Sequence, residues 1–160
     1  MKIEILIADY ANEQHALDVG YLLNDYARDP MGAGKPLDAG IQGKVAHELS
    51  KQSGAFSVLA YVDGNAAGLV NCLHGFSSFK CKPLINIHDV GVVKKYRGLG
   101  ISTRMLEKVE QVAKQRGCCK LTLEVLSGNE PAKKSYEKFG FEGYELDPAM
   151  GRAEFWEKPL

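Results

Sequence analysis

The 160-residue chain carries 20 basic and 20 acidic side chains, so its formal net charge at pH 7 is zero. A neutral chain has no overall field that would draw it to nucleic acid or to an anionic membrane. At this length one domain buries roughly two-thirds of its unfolded surface. We therefore expect a single domain over residues 1–160, with neither nucleic acid nor membrane among its partners.

The cysteines lack the spacing of a redox motif or of a disulfide framework. Such usage favours reduced thiols in a cytoplasmic protein, and we expect no metal site. No apolar run has the length of a membrane-spanning helix, and the N-terminus shows no signal-peptide pattern. The expected location is the cytoplasm. The four cysteines are Cys72, Cys81, Cys118 and Cys119.

The first half of the chain alternates between extended and helical patterns. Isoleucines at every second position predict an opening strand, and Asn12 has the chemistry of a helix N-cap. Residues 29–36, rich in Pro and Gly, break regular structure. The predicted elements are a strand Ile3–Ala8, a helix following Asn12, a helix Leu37–Lys51, and a hairpin of strands Phe56–Val62 and Ala66–Leu73 around the turn Asp63-Gly64-Asn65.

The second half opens with a strand that is apolar nearly throughout, which favours pairing on both of its edges. A strongly amphipathic helix follows it, and cleanly alternating residues then predict a further strand. The predicted elements are a strand Leu84–Val93, a helix Ile101–Arg116, a strand Lys120–Leu126, a helix Glu130–Lys138 that stops at Gly140, and tail strands Phe141–Leu146 and Ala153–Glu157.

A basic turn with closely spaced glycines separates Val93 from the helix at Ile101. Such glycines let backbone N–H groups converge on an anion, and the helix start adds the positive end of its dipole. A Walker loop would need a Lys-Ser/Thr pair, and a dinucleotide fingerprint would need Gly where Thr103 stands. The residues predicted to bind a phosphate are Arg97, Gly98, Leu99, Gly100, Ile101 and Ser102.

This turn resembles the acetyl-CoA pyrophosphate loop of the GNAT superfamily of N-acetyltransferases, Gln/Arg-x-x-Gly-x-Gly/Ala. The resemblance fails only at the last place, where Ser102 replaces Gly or Ala. About 30 residues later, Asn129, Ala132 and Tyr136 fit the family's second signature, Asn-x-x-Ala-x-x-x-Tyr-x-x-x-Gly-Phe. Together the motifs imply an α/β GNAT fold in a single N-acetyltransferase domain: a mixed, mostly antiparallel central sheet, splayed at two parallel strands and flanked by helices.

The resemblance also implies an activity. An acetyl group would pass from acetyl-CoA, the co-substrate, to a primary amine by direct attack in a ternary complex, without an acyl-enzyme. The acceptor would be a small amine, a polyamine or an amino-acid-like molecule, and a homodimer is compatible with this reading. The stretch Gly75–Val90 is similar to the diamine (spermidine/spermine and thialysine) acetyltransferase branch, although His88 replaces its Glu. The alternative is a catalytically silent acyl-CoA-binding regulatory module.

The resemblance assigns Tyr136 to protonation of the departing CoA thiolate, whereas on an arbitrary helix this residue would be a core aromatic. The general base is open among His88, Asp89, Glu124 and ordered water. His88 has an imidazole that accepts a proton near neutral pH, but a hydrogen-bonded histidine on a buried strand is the alternative. The resemblance places acetyl-CoA on backbone groups of Val90, Val92 and Val93, on the loop Arg97, Gly98, Leu99, Gly100, Ile101 and Ser102, and beside Asn129 and Ala132.

Overall fold

Five strands form one sheet in the order β1-β2-β3-β4-β5, so each strand pairs with its neighbours in sequence. The pairs among the first four strands are antiparallel, whereas β4 and β5 run parallel. This mixed sheet confirms the predicted α/β class. The strands are β1 Ile3–Ile7, β2 Phe56–Val62, β3 Asn65–Ser77, β4 Lys82–Val92 and β5 Leu121–Leu123.

The structure, a computed structural model, describes all 160 residues and divides them into two compact units. The N-terminal unit, Met1–Glu124, holds the sheet and three α-helices, and the C-terminal unit, Val125–Leu160, holds one. No helix has the length and apolar character needed to cross a membrane. The helices are α1 Glu13–Arg28, α2 Ile41–Ser50, α3 Ile101–Gln115 and α4 Glu130–Phe139, with short 3-10 helices at Lys94–Tyr96 and Pro148–Met150.

The first helix begins where the sequence predicts. The Asn12 side chain accepts a hydrogen bond from the backbone N–H of His15, 3.0 Å away, which satisfies one of the unpaired donors of the first turn. The helix ends at Arg28, because Asp29 is extended and Pro30 follows. The predicted break over residues 29–36 is confirmed as a series of turns and bends.

Helices cover both faces of the sheet in the N-terminal unit. Gly91 of β4 lies against Tyr26 of α1, whereas Gly68 of β3 lies against Met105 of α3. Because side chains alternate along a strand, each strand contributes apolar groups to both layers. The core between α1, α2 and the sheet includes Val19, Leu22, Ala46, Leu59 and Leu69, and the buried residues of α3 are Ile101, Met105, Leu106, Val109 and Ala113.

Three predicted strands are shortened or absent. The strand predicted at Lys120–Leu126 covers only Leu121–Leu123, because β4 offers it three residues of parallel ladder. The tail strands predicted at 141–146 and 153–157 are wrong. Their only β-pairing is an isolated bridge between Glu145 and Arg152, around a turn that Asp147 caps. Alternation alone does not make a strand without a partner that satisfies its backbone groups.

The contact between α1 and α2 generates a stability prediction. A Cβ at Gly20 would overlap the carbonyl oxygen of Gln42, so the Gly20→Ala variant must separate the two helices. We expect a loss of about 1–3 kcal/mol in the free energy of unfolding, measured by urea denaturation. The matched control is Gly43→Ala on α2, where a Cβ meets no atom and should stabilise by about 0.5–1 kcal/mol. Equal effects of the two substitutions would contradict this packing.

Candidate active site

Strand β4 loses one of its two partners halfway along its length. The parallel ladder with β5 ends at the pair Ile87 and Leu123, while β4 continues to Val92 with β3 as its only partner. Residues 88–92 therefore present an edge of the sheet without a neighbouring strand. An unpaired edge is a template for another extended group, because its N–H and C=O groups need partners.

The backbone groups on this open edge follow from the β3 pairing. Val93 donates its N–H to the carbonyl oxygen of Ala67, 2.9 Å away on the β3 side. Because antiparallel backbone groups alternate between the two edges, those of Val92 and Val90 point away from β3. The backbone groups of Val90 and the N–H of Val92 are thus available, whereas the carbonyl of Val92 accepts from Arg97 and the N–H of Val93 is already used within the sheet.

The loop after β4 ends in a helix start without a side-chain cap. Gly98 and Gly100 have φ angles of +81° and +74°, in the left-handed region that favours glycine. Gly100 precedes α3, and the first helical hydrogen bond runs from the N–H of Arg104 to its carbonyl. The N–H groups of Ile101 and Ser102 therefore lack helical acceptors, and the first turn carries no acidic residue. These features fit an anion.

Arg97 is anchored rather than free in solvent. Its Nε donates to the carbonyl oxygen of Val92 at 3.0 Å, and its Nη2 donates to Oδ2 of Asp29 at 2.8 Å. The hydrogen bond from Arg97, with a second from the N–H of Met31, holds the pKa of the Asp29 carboxyl below its usual value. Arg97 keeps donors for a phosphate, since a guanidinium carries five.

A β-bulge lies where β4 parts from β5. Asn71 of β3 faces Asp89, but the next residue of β3, Cys72, faces Ile87, so His88 is an extra residue on β4. The side chain of Asp89 bonds to Asn71, and that of His88 bonds to Asn86. The bulge therefore places two adjacent ionisable side chains at the start of the open edge.

His88 is exposed, so the alternative of a buried core histidine is wrong. Its Nδ1 lies 3.3 Å from Oδ1 of Asn86, and the amide nitrogen of Asn86 donates to Oγ1 of Thr122 at 2.9 Å. Because an amide oxygen only accepts, this arrangement is satisfied by the His88 tautomer that is protonated at Nδ1. In the neutral ring Nε2 is then the atom that accepts a proton.

Asp89 is half-buried and accepts a hydrogen bond at Oδ2 from the amide of Asn71, 3.0 Å away. Burial raises the pKa of the Tyr26 phenol, and the charges of Asp89 and Asp29 raise it further. Glu124, the third candidate base, was predicted on the neighbouring strand, but it lies one residue beyond β5. It is exposed, with no hydrogen bond or ion pair. The bulge therefore makes His88 and Asp89 adjacent on β4, while Glu124 follows the last residue that β5 pairs with β4.

In the C-terminal unit, Asn129 caps α4. Its Oδ1 accepts from the N–H of Ala132 at 3.4 Å, so these two predicted residues bind each other, and the Asn129 amide keeps its own donors. The ring of Tyr136 packs edge-on against Phe141, with centroids 6.0 Å apart. The helix ends at Gly140 as predicted, where the N–H of Phe141 returns to the carbonyl of Tyr136.

Three polar residues that lead to Asp89 are not apparent from the sequence pattern. Ser57 and Asn71 lie inside apolar strands, and Tyr10 precedes α1. A signal was present, because a polar residue in an apolar run is costly to bury unless it has a partner. Nothing in the sequence alone showed that the partner was Asp89.

Residues 20–141 match the model of the acetyltransferase (GNAT) family. The chain belongs to this family. The match includes residues of both compact units. Members of the GNAT family use acetyl-CoA, and the open edge of β4 with the uncapped start of α3 fits that molecule's extended arm and its diphosphate.

Relatives of this GNAT chain are named for different amine acceptors. A streptothricin acetyltransferase of Streptomyces lavendulae is 29% identical over 132 residues, covering 82% of this chain and 68% of that protein. A thialysine N-epsilon-acetyltransferase of Mus musculus is 38% identical over 56 residues, covering 35% of this chain and 33% of that protein. The chain thus spans between 33% and 68% of the length of these two relatives.

The fold of the chain is similar to that of solved GNAT structures. An aminoglycoside N-acetyltransferase solved in complex with CoA superposes with a TM-score of 0.72 and covers 100% of this chain and 98% of its own. At 20% identity this likeness shows the fold alone. It confirms the predicted GNAT fold.

The uncapped start of α3 predicts how a substitution in the loop affects binding. Gly100→Ala places a Cβ at a positive φ, so we expect a stability loss of about 1–2 kcal/mol and at least tenfold weaker acetyl-CoA binding in calorimetry. Gly117→Ala is the matched control, because Gly117 also has a positive φ of +71° and open space but lies after the end of α3. Unchanged binding by the Gly100 variant would remove the loop from the acetyl-CoA site.

The ion pair between Arg97 and Asp29 predicts a pH dependence of stability. Since the pKa of Asp29 is lower in the folded than in the unfolded chain, its contribution is present above the unfolded value of 3.8 and is lost as the pH falls through the folded value. We expect Asp29→Asn to lower the free energy of unfolding by roughly 0.2–1 kcal/mol at pH 7, the range of exposed pairs. At pH 3 the difference should shrink, as urea denaturation would show. A difference that is equal at both pH values would mean that the pair does not form.

Proposed function

We propose that this chain is an N-acetyltransferase that moves the acetyl group of acetyl-CoA to a primary amine. The observation that carries the proposal is the continuity between two features of the N-terminal unit. The open edge of β4 runs from Asp89 to Val92, and it leads through the loop of Arg97 to the uncapped start of α3. One surface thus offers strand-like backbone pairing next to a phosphate site.

The chain's own groups account for binding of acetyl-CoA, which supplies the activated acetyl group. Val90 offers its backbone N–H and C=O groups, and Val92 its N–H, to the amide-containing arm, as an added strand would use them, while the carbonyl of Val92 anchors Arg97. The N–H groups of Ile101 and Ser102, with Arg97, hold the diphosphate. One N–H of the open edge donates to the thioester carbonyl and stabilises the negative charge that develops there.

The bulge supplies the groups for the amine. An alkylammonium has no lone pair, so it must lose a proton before it attacks the thioester carbon. Asp89 attracts the cation, and Nε2 of His88 accepts its proton, directly or through water. The new C–N bond then forms as the C–S bond breaks. In this proposal attack is direct, because none of the four cysteines lies in either GNAT motif, and burial also raises the pKa of the Cys72 thiol.

The proposed acceptor is a small molecule with a primary amine that is cationic at neutral pH. Support comes from the half-buried carboxylate at the bulge and from relatives named for streptothricin and thialysine. The local likeness of Gly75–Val90 to the diamine branch makes polyamines the first candidates, and His88 is the substitution that would alter that preference. Location in the cytoplasm and a homodimer stay predictions.

The family resemblance assigns the remaining chemical role, that of the acid, to Tyr136. Its phenol would give a proton to the departing thiolate, while Asn129 and Ala132 would border the arm of acetyl-CoA. Both compact units then belong to one N-acetyltransferase domain, which the family match across residues 20–141 supports. The catalytically silent acyl-CoA-binding module differs in needing no acid at this position.

The test is release of CoA thiol from acetyl-CoA with polyamines, thialysine, lysine, aminoglycosides and peptide amines as acceptors. With the best acceptor, Tyr136→Phe should lower kcat by about 10²–10⁴-fold, because it removes a proton donor and keeps the ring packing against Phe141. Acetyl-CoA affinity should change by less than about 1 kcal/mol.

Phe139→Leu is the control, since this residue stacks on the same Phe141 ring but carries no proton. It should affect stability more than kcat. A Tyr136 variant with more than a third of wild-type turnover would remove the phenol from the chemistry. Tight binding of acetyl-CoA without turnover of any acceptor would favour the silent module instead.

A further inference from the structure

A row of buried polar side chains crosses three strands and ends at Asp89. Ser57 of β2, Asn71 of β3 and Asp89 of β4 are direct neighbours in the strand register. The Ser57 hydroxyl lies 2.6 Å from Oδ1 of Asn71, and the Asn71 amide lies 3.0 Å from Oδ2 of Asp89. Tyr10 extends the row at its outer end, with its hydroxyl 2.7 Å from Oγ of Ser57. These four residues form the polar row.

Every hydrogen bond in the polar row is donated toward Asp89. A carboxylate only accepts, so Asn71 must present its NH₂ group to Asp89 and its carbonyl oxygen to Ser57. Ser57 then donates its single hydroxyl proton to Asn71, and Tyr10 must donate to Ser57. Such a chain of aligned donors is cooperative, and it ends on the one charged group of the row.

Burial of the polar row among apolar residues is unfavourable for the stability of the fold. Ser57 is 0% exposed and Asn71 is 3% exposed, and the strand residues beside them, Val58, Val70 and Cys72, are fully buried. Apolar groups of the same shape at both positions would be nearly neutral or stabilising. The row is therefore not needed to hold β2 and β3 together, and its effect falls on the carboxylate that it reaches.

We propose that Asn71 and Ser57 are positioning residues that hold the Asp89 carboxylate in one orientation, with Oδ2 bound by the protein and Oδ1 left for the cationic amine. No protein donor reaches Oδ1. This inference rests on the proposed function, because it assigns Asp89 to the amine. Neither Asn71 nor Ser57 touches the reacting atoms; both act through Asp89.

The decisive variants change the hydrogen bonds and keep the volume. Asn71→Leu removes the donor to Asp89, and we expect kcat/KM for the amine to fall by roughly 10–100-fold, the range for losing a partner that orients a functional group. The dissociation constant of acetyl-CoA should stay within about twofold, because its proposed contacts lie beyond the row.

A pair of variants at Ser57 stays informative if Asn71→Leu does not fold. Ser57→Thr keeps the hydroxyl and Ser57→Val removes it, with nearly the same shape and the same extra volume. We expect the Thr variant to retain most of its kcat/KM for the amine and the Val variant to lose about tenfold. Equal kcat/KM values for the two folded variants would overturn the role of Ser57.

Tyr61→Phe is the matched control for a lost buried hydrogen bond. Tyr61 is also on β2, but its hydroxyl donates to Asp18 of α1 at 2.7 Å rather than to the polar row. It should lower the melting temperature without changing the kinetic constants for the amine. A parallel loss in this control would show that the kinetic effect follows from stability alone, which would overturn the proposal.

Crystal structures of the wild type and of the Asn71 or Ser57 variants give a result that needs no turnover. We expect a single Asp89 rotamer in the wild type and a rotated or mixed one in Asn71→Leu, or in Ser57→Val if the former does not fold. An unchanged Asp89 rotamer would overturn the positioning role, even for an active enzyme. The two proposals can fail separately. If the wild type acetylates no amine, but Asp89 still changes its orientation in the variants, the proposed function is refuted and the structural effect of the row stays intact.

Discussion

The proposed active site depends on the early end of one β-ladder. β5 accompanies β4 for three residues and then stops, so the following residues of β4 keep a partner on one edge only. A buried strand normally has both edges satisfied, because unpaired N–H and C=O groups away from water are costly. Here the vacant edge begins at the bulge of His88, and the chain then runs directly into the phosphate loop. If the ladder between β4 and β5 extended two residues further, the backbone groups of Val90 would be paired within the sheet and could not bind a ligand.

The two halves of the proposed site rest on different kinds of chemistry. In this site acetyl-CoA is held mostly by backbone groups, and the conformation of the chain leaves these groups unpaired. The features that do so are an open strand edge, positive φ angles at Gly98 and Gly100, and an uncapped helix start. The amine is handled by side chains at the bulge. Backbone recognition constrains the sequence only at glycines and small residues, whereas side-chain recognition allows His88 where the similar branch has Glu. One family can thus keep its donor and change its acceptor.

The sequence predicted best what is decided locally. Asn12 caps α1, α3 starts after Gly100 and α4 stops before Gly140, because capping and positive φ depend on a few neighbouring residues. What depends on a distant partner was missed. The strand at 120–126 shortened because β4 offers only three residues of ladder. The bulge that exposes His88 and the partner of Asn71 are set by register between strands, which no local pattern records.

The ion pair between Arg97 and Asp29 joins the phosphate loop to the segment after α1, and its exposure limits what it can transmit. About half of the Arg97 side chain is open to solvent, and exposed pairs are worth roughly 0.2–1 kcal/mol. A coupling free energy of about 1 kcal/mol corresponds to roughly a fivefold change in affinity. If acetyl-CoA binds at Arg97 as proposed, its binding can bias the Pro- and Gly-rich segment 29–36, but this pair alone cannot impose an obligatory order of binding. Any stronger coupling must pass through the sheet, where Asp89 and Val90 are consecutive residues.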